Sequence, residues 1–384
     1  MLKSFKTEIL PTQEQKIQIN QTIGTCRFVY NFYVATNRQR HKDNLPFMSC
    51  MDFSKWLNND FLPNNQDYAW IKSVSSKSVK QSLKNADTAF RKFFSHETGF
   101  PNFKKKRQNN VKMYFVRNNP NDCTCERHRI KISTLGFVRL KEKGYIPTSK
   151  NGFTIKSGTV SVKADRYFVS VLIDVPSDVP TTPVNPGIGI DLGIKEFAVV
   201  SDGTKFRNIN KTAKMKRLKK QLKRQQRCLS RKLENLKKGE ATQRGNIHKQ
   251  MLKVQKFHAR INNIRTDYIN QTVNRIVKTK PSYITLEDLN VKGMMKNKHL
   301  SKAVASQKFY EFRTKLEYKC HAENIELRIA DRFYPSSKLC NCCHKIKHDL
   351  KLSDRIYACE CGYVNDRDFN ASLNLRDASI YRTA

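Results

Sequence analysis

The chain has 384 residues, 38% of them hydrophobic, and carries 73 Lys+Arg against 33 Asp+Glu for a net charge of +40. That length allows two or three domains with real cores, and the charge directs the surface toward a polyanion, nucleic acid ahead of an anionic membrane. There is no run of about 18 apolar residues, and Met1 to Lys6 lack a signal peptide's apolar stretch, so no membrane partner is expected and a cytoplasmic protein is.

Residues 1–40 read as a short strand followed by a helix. Thr12 is placed to cap that helix with Gln15 at its third position, and Ile17, Ile19, Ile23, Phe28, Val29 and Phe32 supply an apolar face. A second helix is predicted over about 76–94, with Val79, Leu83, Ala86, Ala89, Phe90 and Phe93 at helical spacing. It leads into a stretch where Phe100 and Phe103 interleave with Lys104, Lys105, Lys106 and Arg107. That mixture suits phosphate contact with base stacking, or simply a solvated loop. From about 111 to 175 short, alternating, β-branched runs take over: 129–132, 137–140, 159–162 and 167–173, punctuated by Gly136, Gly144, Gly152 and Gly158. A small antiparallel barrel or sandwich is the expectation. Cys123 and Cys125, in a polar stretch, read as free thiols, with metal binding as the other reading. Four prolines at 176, 180, 183 and 186 predict a stiff linker over 176–186 and a domain boundary.

After the linker, Gly187 to Val200 read as a buried strand, a tight glycine turn and a second strand, closed by Asp202-Gly203 as a hairpin signal. Asp191 lies in the apolar strand, where an acid is costly unless a cation or hydrogen bonds compensate. It is a candidate metal ligand, or an aspartate bonding turn amides. Residues 211–260 carry eighteen Lys/Arg against two Glu. Leu218, Leu222, Leu229, Leu233 and Leu236 keep a helical stripe through this stretch, and Ile247, Met251, Val254, Ile261, Ile264 and Tyr268 keep another beyond a break at 239–245. A helical hairpin with one apolar seam and basic outer faces follows. Charge of one sign repels itself without a polyanion, so nucleic-acid contact is expected from Lys216, Arg217, Lys220, Arg224, Arg227 and Arg231, with a solvated face as the bland alternative. Residues 282–289 form another buried strand, closing on Glu287 and repeating the oddity of Asp191. A helix over about 304–324 and a strand over 325–330 come next.

Eleven cysteines is an odd number, and five lie between Cys340 and Cys361. In a reducing compartment such a cluster favours metal over disulfides. Cys340 and Cys343, then Cys359 and Cys361 after fifteen residues, read as a ribbon around one structural Zn²⁺. Asp366 and Asp368 open a closing helix. Two carboxylates at strand ends and one at a helix start are what a two-metal hydrolase needs. Two Mg²⁺ roughly 3.5–4 Å apart activate a water and stabilise the leaving oxygen of a phosphodiester, and Mg²⁺ prefers hard oxygen ligands. The order strand, strand, helix is that of an RNase H-like α/β domain.

These motifs resemble the TnpB (OrfB) family of insertion-sequence proteins, whose RuvC-like nuclease is shared with type V CRISPR effectors. The resemblance rests on Gly187–Gly193 around Asp191, Leu286–Leu289 around Glu287, and Asp366–Ala371 after the cysteines. Phe333–Cys340, Pro11–Gln15, Gly24–Asn31 and Phe100–Lys104 extend it over nearly the whole chain. It implies an RNA-guided DNA endonuclease: a guide RNA from the element pairs with double-stranded target DNA beside a short adjacent motif, and a RuvC-like site with two Mg²⁺ cuts. It makes Asp191, Glu287 and Asp368 the catalytic ligands, with Asp366 as a helix cap. It also implies a recognition lobe over 1–180, a β-barrel with a helical insertion at about 12–107, and a nuclease domain over 187–384. Inside the latter sit the hairpin, about 211–278, along the heteroduplex, and the ribbon, about 336–364. One departure stands out: family members usually have two residues between the second pair of ribbon cysteines, where Cys359 and Cys361 have one, so Cys342 or His344 is a possible substitute ligand. The rival functions are a nuclease-inactive RNA-guided repressor, disfavoured because all three carboxylates are present, and a DNA-strand transferase, for which no tyrosine or serine nucleophile motif is found. One or two copies per complex are both compatible with the sequence.

Overall fold

A computed structural model describes residues 2–106, 111–119, 121–176, 182–237, 244–351 and 354–383. The chain forms two compact units, Met1–Ser177 and Asp178–Ala384. Arg107 and most of the predicted linker's first half lie outside the described residues, as does the join of the basic hairpin.

In the first unit, β1 (Leu2–Leu10) leads into α1 (Gln13–Lys42), α2 (Cys50–Trp56), α3 (Leu62–Asn64) and α4 (Ser76–Phe94), followed by β2 (Met113–Val116), β3 (Arg129–Ile132), β4 (Gly136–Leu140), β5 (Thr154–Lys163) and β6 (Arg166–Asp174). Thr12 and Gln15 form the expected capping box of α1. Of its expected apolar face, Ile19 and Val29 are buried and Ile23, Phe28 and Phe32 pack against the cores, while Ile17 is exposed; Cys26, Tyr33 and Val34 are buried beside them. The strands make an antiparallel sheet in the order β2-β5-β6-β1-β4-β3. The expected barrel is therefore a half-barrel, because among the described residues nothing pairs β2 with β3. Helices α1 and α4 pack beside β2 instead, and Ser78 Oγ donates to the Tyr114 carbonyl at 2.5 Å. Cys123 and Cys125 are buried in this sheet's core as free thiols, and burial pushes Cys125 up to about 11.

The second unit starts with β7 (Ile188–Leu192), β8 (Glu196–Val200) and β9 (Lys205–Arg207), joined as antiparallel hairpins. Gly203 makes the β8–β9 turn at φ +88°, a conformation that suits glycine. Two long helices, α5 (Ala213–Lys237) and α6 (Arg244–Val277), precede β10 (Tyr283–Glu287). Then come α7 (Val291–Lys296), α8 (Ser301–Gln307), α9 (Phe309–Ala322), β11 (Glu326–Ala330), the small pair β12 (Ile356–Ala358) and β13 (Val364–Asp366), α10 (Arg367–Arg376) and β14 (Tyr381–Thr383). The single helix expected over 304–324 is two, broken where Lys308 turns left-handed at φ +59°. Gln307 and Lys308 spend that break on other partners: Gln307 Nε2 donates to the Gly193 carbonyl at 3.1 Å, and Lys308 Nζ to Thr266 Oγ1 at 2.9 Å.

The main sheet runs β14-β11-β10-β7-β8-β9, with β7, β10 and β11 parallel and the outer strands antiparallel. Parallel neighbours need long crossovers, which the helices between β9 and β11 supply. Ile188, Ile190, Ile284 and Leu286 share one face and pack with Ile269, Val273, Phe312 and Leu316 of α6 and α9. Helix α10 covers the other face, lying on β7, β8 and β10.

Candidate catalytic and metal-binding site

Asp191 is the fourth residue of β7 and Glu287 the last of β10. The two strands are in parallel register, with Ile188 beside Ile284 and Ile190 beside Leu286. One step further along both strands sets Asp191 beside Glu287, on the same face, because side chains alternate along a strand. Gly189 shares that face, and here the absence of a side chain is a requirement. A Cβ would stand 2.1 Å from the Ser372 carbonyl oxygen and 2.3 Å from the Arg376 nitrogen, so α10 can rest directly on the strand only because residue 189 is glycine. That close seat brings the first turn of α10, and Asp368 with it, to the end of the sheet where Asp191 and Glu287 lie.

The electrostatics register this convergence. Burial, then the Glu287 and Asp368 carboxylates, push Asp191 up to about 8 from its usual 3.8. Burial, with Asp288 next in the chain, also raises Glu287. Arg367 partly offsets the repulsion, standing 3.2 Å from Asp368 Oδ1. Asp366 serves as the cap of α10, its Oδ1 accepting from the Asp368 and Phe369 amides at 3.0 and 3.1 Å, which holds Asp368 in the first turn.

Asp288 was not singled out by the sequence and is the hub of a cationic cluster. Its carboxylate pairs with Arg332 at 2.7 Å, Arg313 at 3.3 Å and Arg382 at 3.5 Å. The acidic residue next to Glu287 was visible in the sequence, but its three partners come from separate elements.

The four expected cysteines meet. Sγ atoms of Cys340, Cys343, Cys359 and Cys361 all lie within 4.8 Å of one another, the only such His/Cys/Asp/Glu group among the described residues. Cys340 and Cys361 are 3.7 Å apart, and Cys343 and Cys359 are 3.5 Å apart. A tetrahedral ion with metal–sulfur bonds of about 2.3 Å has sulfur–sulfur edges of about 3.8 Å, so the donor set fits one. The shortened second pair is accommodated by a hairpin turn between β12 and β13, where the Cys359 amide donates to the Tyr363 carbonyl at 2.9 Å and Gly362 takes φ +85°. Cys342 is exposed and, like His344, stands outside the group, so no substitute ligand is required. The knuckle is tied to the helix that carries Asp368. Buried Asn374 Nδ2 donates to the Ser336 and Leu339 carbonyls, each at 2.7 Å, and Asn370 Nδ2 donates to the Leu339 carbonyl at 2.8 Å.

The expected nucleic-acid residues divide in two. Lys216, Arg217, Lys220, Arg224, Arg227 and Arg231 are exposed on α5, while Met215, Leu218 and Ile261 bury the α5–α6 seam. The seam is shorter than expected, because Leu233 and Leu236 are 42% and 38% exposed. In the first unit Lys105 and Lys106 are exposed, but Lys104 is half-buried with Nζ 4.8 Å from the Tyr30 ring centroid, and its amide donates to Asn31 Oδ1 at 2.7 Å. Part of Lys104's role is therefore structural.

Fold and site together define an α/β protein whose mixed sheet gathers carboxylates at one end and is stapled to a four-cysteine cluster with the geometry of a metal site. Residues 170–298 match the OrfB_IS605 family, described as a probable transposase, and residues 309–375 match the Cas12f1-like TNB domain. Residues 1–45 match a helix-turn-helix family, although they form here one strand and one long helix. A Streptomyces pristinaespiralis protein with the provisional name RNA-guided DNA endonuclease is 30% identical over all of this chain and 90% of its own length. InsQ of Escherichia coli K12, provisionally named likewise, is 28% identical over 97% of this chain and 91% of its own. In fold, the chain resembles Cas12f1 as solved in a complex with sgRNA and target DNA, with a TM-score of 0.62, 13% identity, and coverage of 97% of this chain and 84% of that one. The chain belongs to the OrfB (TnpB) family of insertion-sequence proteins.

No helix among the described residues is long and apolar enough to cross a membrane.

Proposed function

We propose that the protein is an RNA-guided DNA endonuclease that hydrolyses phosphodiester bonds of target DNA. The observation that carries this reading is that Asp191 and Glu287 lie at one end of neighbouring parallel strands in a sheet ordered β9-β8-β7-β10-β11, with Asp368 near enough to raise Asp191; an RNase H-like nuclease is the reading we place on it. The relatives' shared name supports it.

The chemistry of the residues suits a divalent metal, since three carboxylates supply hard oxygen donors. Burial and the neighbouring Glu287 and Asp368 carboxylates raise the proton affinity of Asp191, and a hard cation relieves such crowding through oxygen ligands. Asp191, Glu287 and Asp368 would hold two Mg²⁺, which when bound supply an activated water and charge stabilisation for the leaving oxygen. Arg367 would orient Asp368, and Asp366 would fix the helix start. Cys340, Cys343, Cys359 and Cys361 would hold one Zn²⁺ that shapes the segment stapled to α10. Residues 1–180 would form the lobe that reads guide RNA and target duplex, and the exposed basic face of α5 would follow the heteroduplex backbone, in the cytoplasm of a prokaryote.

The test is single-turnover cleavage of a plasmid matched to the co-purified RNA, with and without Mg²⁺. Cutting that needs both the matched sequence and Mg²⁺ is expected. Cutting that survives Asp191→Ala would refute the site, and joined strands in place of free ends would replace hydrolysis by strand transfer.

A further inference from the structure

The end of β10 opens into a cavity of about 240 Å³ that reaches Glu287, the one of the three carboxylates that lines it. Leu192, Leu286, Leu289 and Phe309 make much of its wall apolar, and Tyr310, Arg313 and Arg332 are among the residues that line the rest. Its size is below that of drug-sized sites, about 300–1,000 Å³, and suits a single flat ring.

Two features point to the ligand. Asp288 is one carboxylate among Arg313, Arg332 and Arg382, which leaves two positive charges in excess. Each guanidinium has five N–H donors, and the ion pairs with Asp288 leave several for an incoming anion. Tyr310 is 77% exposed, an aromatic face offered to solvent at the mouth of an apolar slot. Apolar slot, open ring and surplus guanidinium charge side by side match base, stacking face and phosphate of one nucleotide. A base inside a duplex is already stacked and cannot enter, so the occupant is unpaired.

We propose that this cavity seats one unpaired nucleotide of the DNA strand being cut. Its base lies against Tyr310 and the apolar wall, its phosphate on Arg332 and Arg313, and the next phosphodiester is thereby positioned at Glu287. The identity of the strand rests on the nuclease reading above; the seat does not. Tyr310, Arg313 and Arg332 are then positioning residues.

The probe is a 5′-phosphorylated DNA tetranucleotide with 2-aminopurine as its first base, added to the full chain with its co-purified RNA, with Ca²⁺ in place of Mg²⁺. Wild-type protein and Tyr310→Phe quench its fluorescence. Tyr310→Ala abolishes the quenching and weakens binding roughly tenfold, and Arg332→Gln lowers the slope of log affinity against log salt by about 0.7, one phosphate's worth. Under Mg²⁺, Tyr310→Ala slows single-turnover cleavage of the matched target roughly tenfold and Tyr310→Phe restores it. Wild-type binding and cleavage by both Tyr310→Ala and Arg332→Gln would overturn the seat. Stronger quenching by the ribose version of the probe would overturn the assignment to DNA. Tyr310-dependent quenching by a protein that cuts nothing would uphold the seat and refute the nuclease reading instead.

Discussion

Replacing Asp191 by Asn keeps the side chain's shape at the end of β7 and removes one charge from a crowded acidic set. With the usual value of 3.8 raised to about 8 by burial and by Glu287 and Asp368, the folded protein holds this proton more tightly than the unfolded chain does. Stability contributed by the protonated form is therefore present below about pH 4 and is lost as pH rises toward about 8. One pKa unit is about 1.36 kcal/mol. Discounted for the partial exposure of the side chain, burial first and then repulsion by Glu287 and Asp368 cost the Mg²⁺-free protein roughly 2–4 kcal/mol at pH 8. Asp191→Asn removes that cost. For a unit of this size about 1 kcal/mol shifts Tm by roughly 2–4 °C, so the variant melts roughly 5–10 °C higher than wild type at pH 8 and about the same at pH 4. Added Mg²⁺ raises the wild-type Tm at pH 8 by mass action and leaves the variant nearly unmoved, while DNA cleavage by the variant is lost. Calorimetry at the two pH values, with and without Mg²⁺, reads all of this. A variant no more stable than wild type at pH 8 would refute the account of Asp191 as a buried carboxylate crowded by Glu287 and Asp368.

Purified protein is expected to carry one zinc per chain by elemental analysis; Cys340→Ser loses it and Cys342→Ser keeps it, and equal loss from both would refute the four-thiol assignment. Gly189→Ala forces a methyl into the Ser372 and Arg376 backbone, and overpacking of that kind costs about 1–3 kcal/mol or more; urea unfolding with an unchanged midpoint would show that α10 does not rest on β7 as described. Changing Arg224, Arg227 and Arg231 together to Ala is expected to lower the salt dependence of nucleic-acid binding by about two to three phosphates' worth without altering melting, as measured by anisotropy titrations across salt concentrations.

Local patterns were legible where local physics decides. The capping box at Thr12 and Gln15 and the bounds of α4 follow from short-range spacing. The break at Lys308 was not legible, because Gln307 and Lys308 find their partners at Gly193 and Thr266, far off in the chain. The exposed tip leucines were hidden for a related reason: a helical stripe says which side is apolar, not how far the partner helix reaches. Asp288 looked like an ordinary neighbour of Glu287 until β14, α9 and the segment after β11 brought three arginines to it.

The sequence by itself determined the chemical inventory: a one-signed charge, cysteines at metal-ligand spacing, and acids inside apolar segments, each costly enough without a partner to announce one. What joined the inventory into sites was tertiary. The parallel register of β7 with β10 aligned Asp191 with Glu287 across about ninety intervening residues, and the bare backbone at Gly189 let α10 deliver Asp368. Two hairpin turns closed four thiols into one group despite the shortened pair. Register and close approach depend on surfaces that meet only in the folded chain, and for that reason no window of sequence contains them.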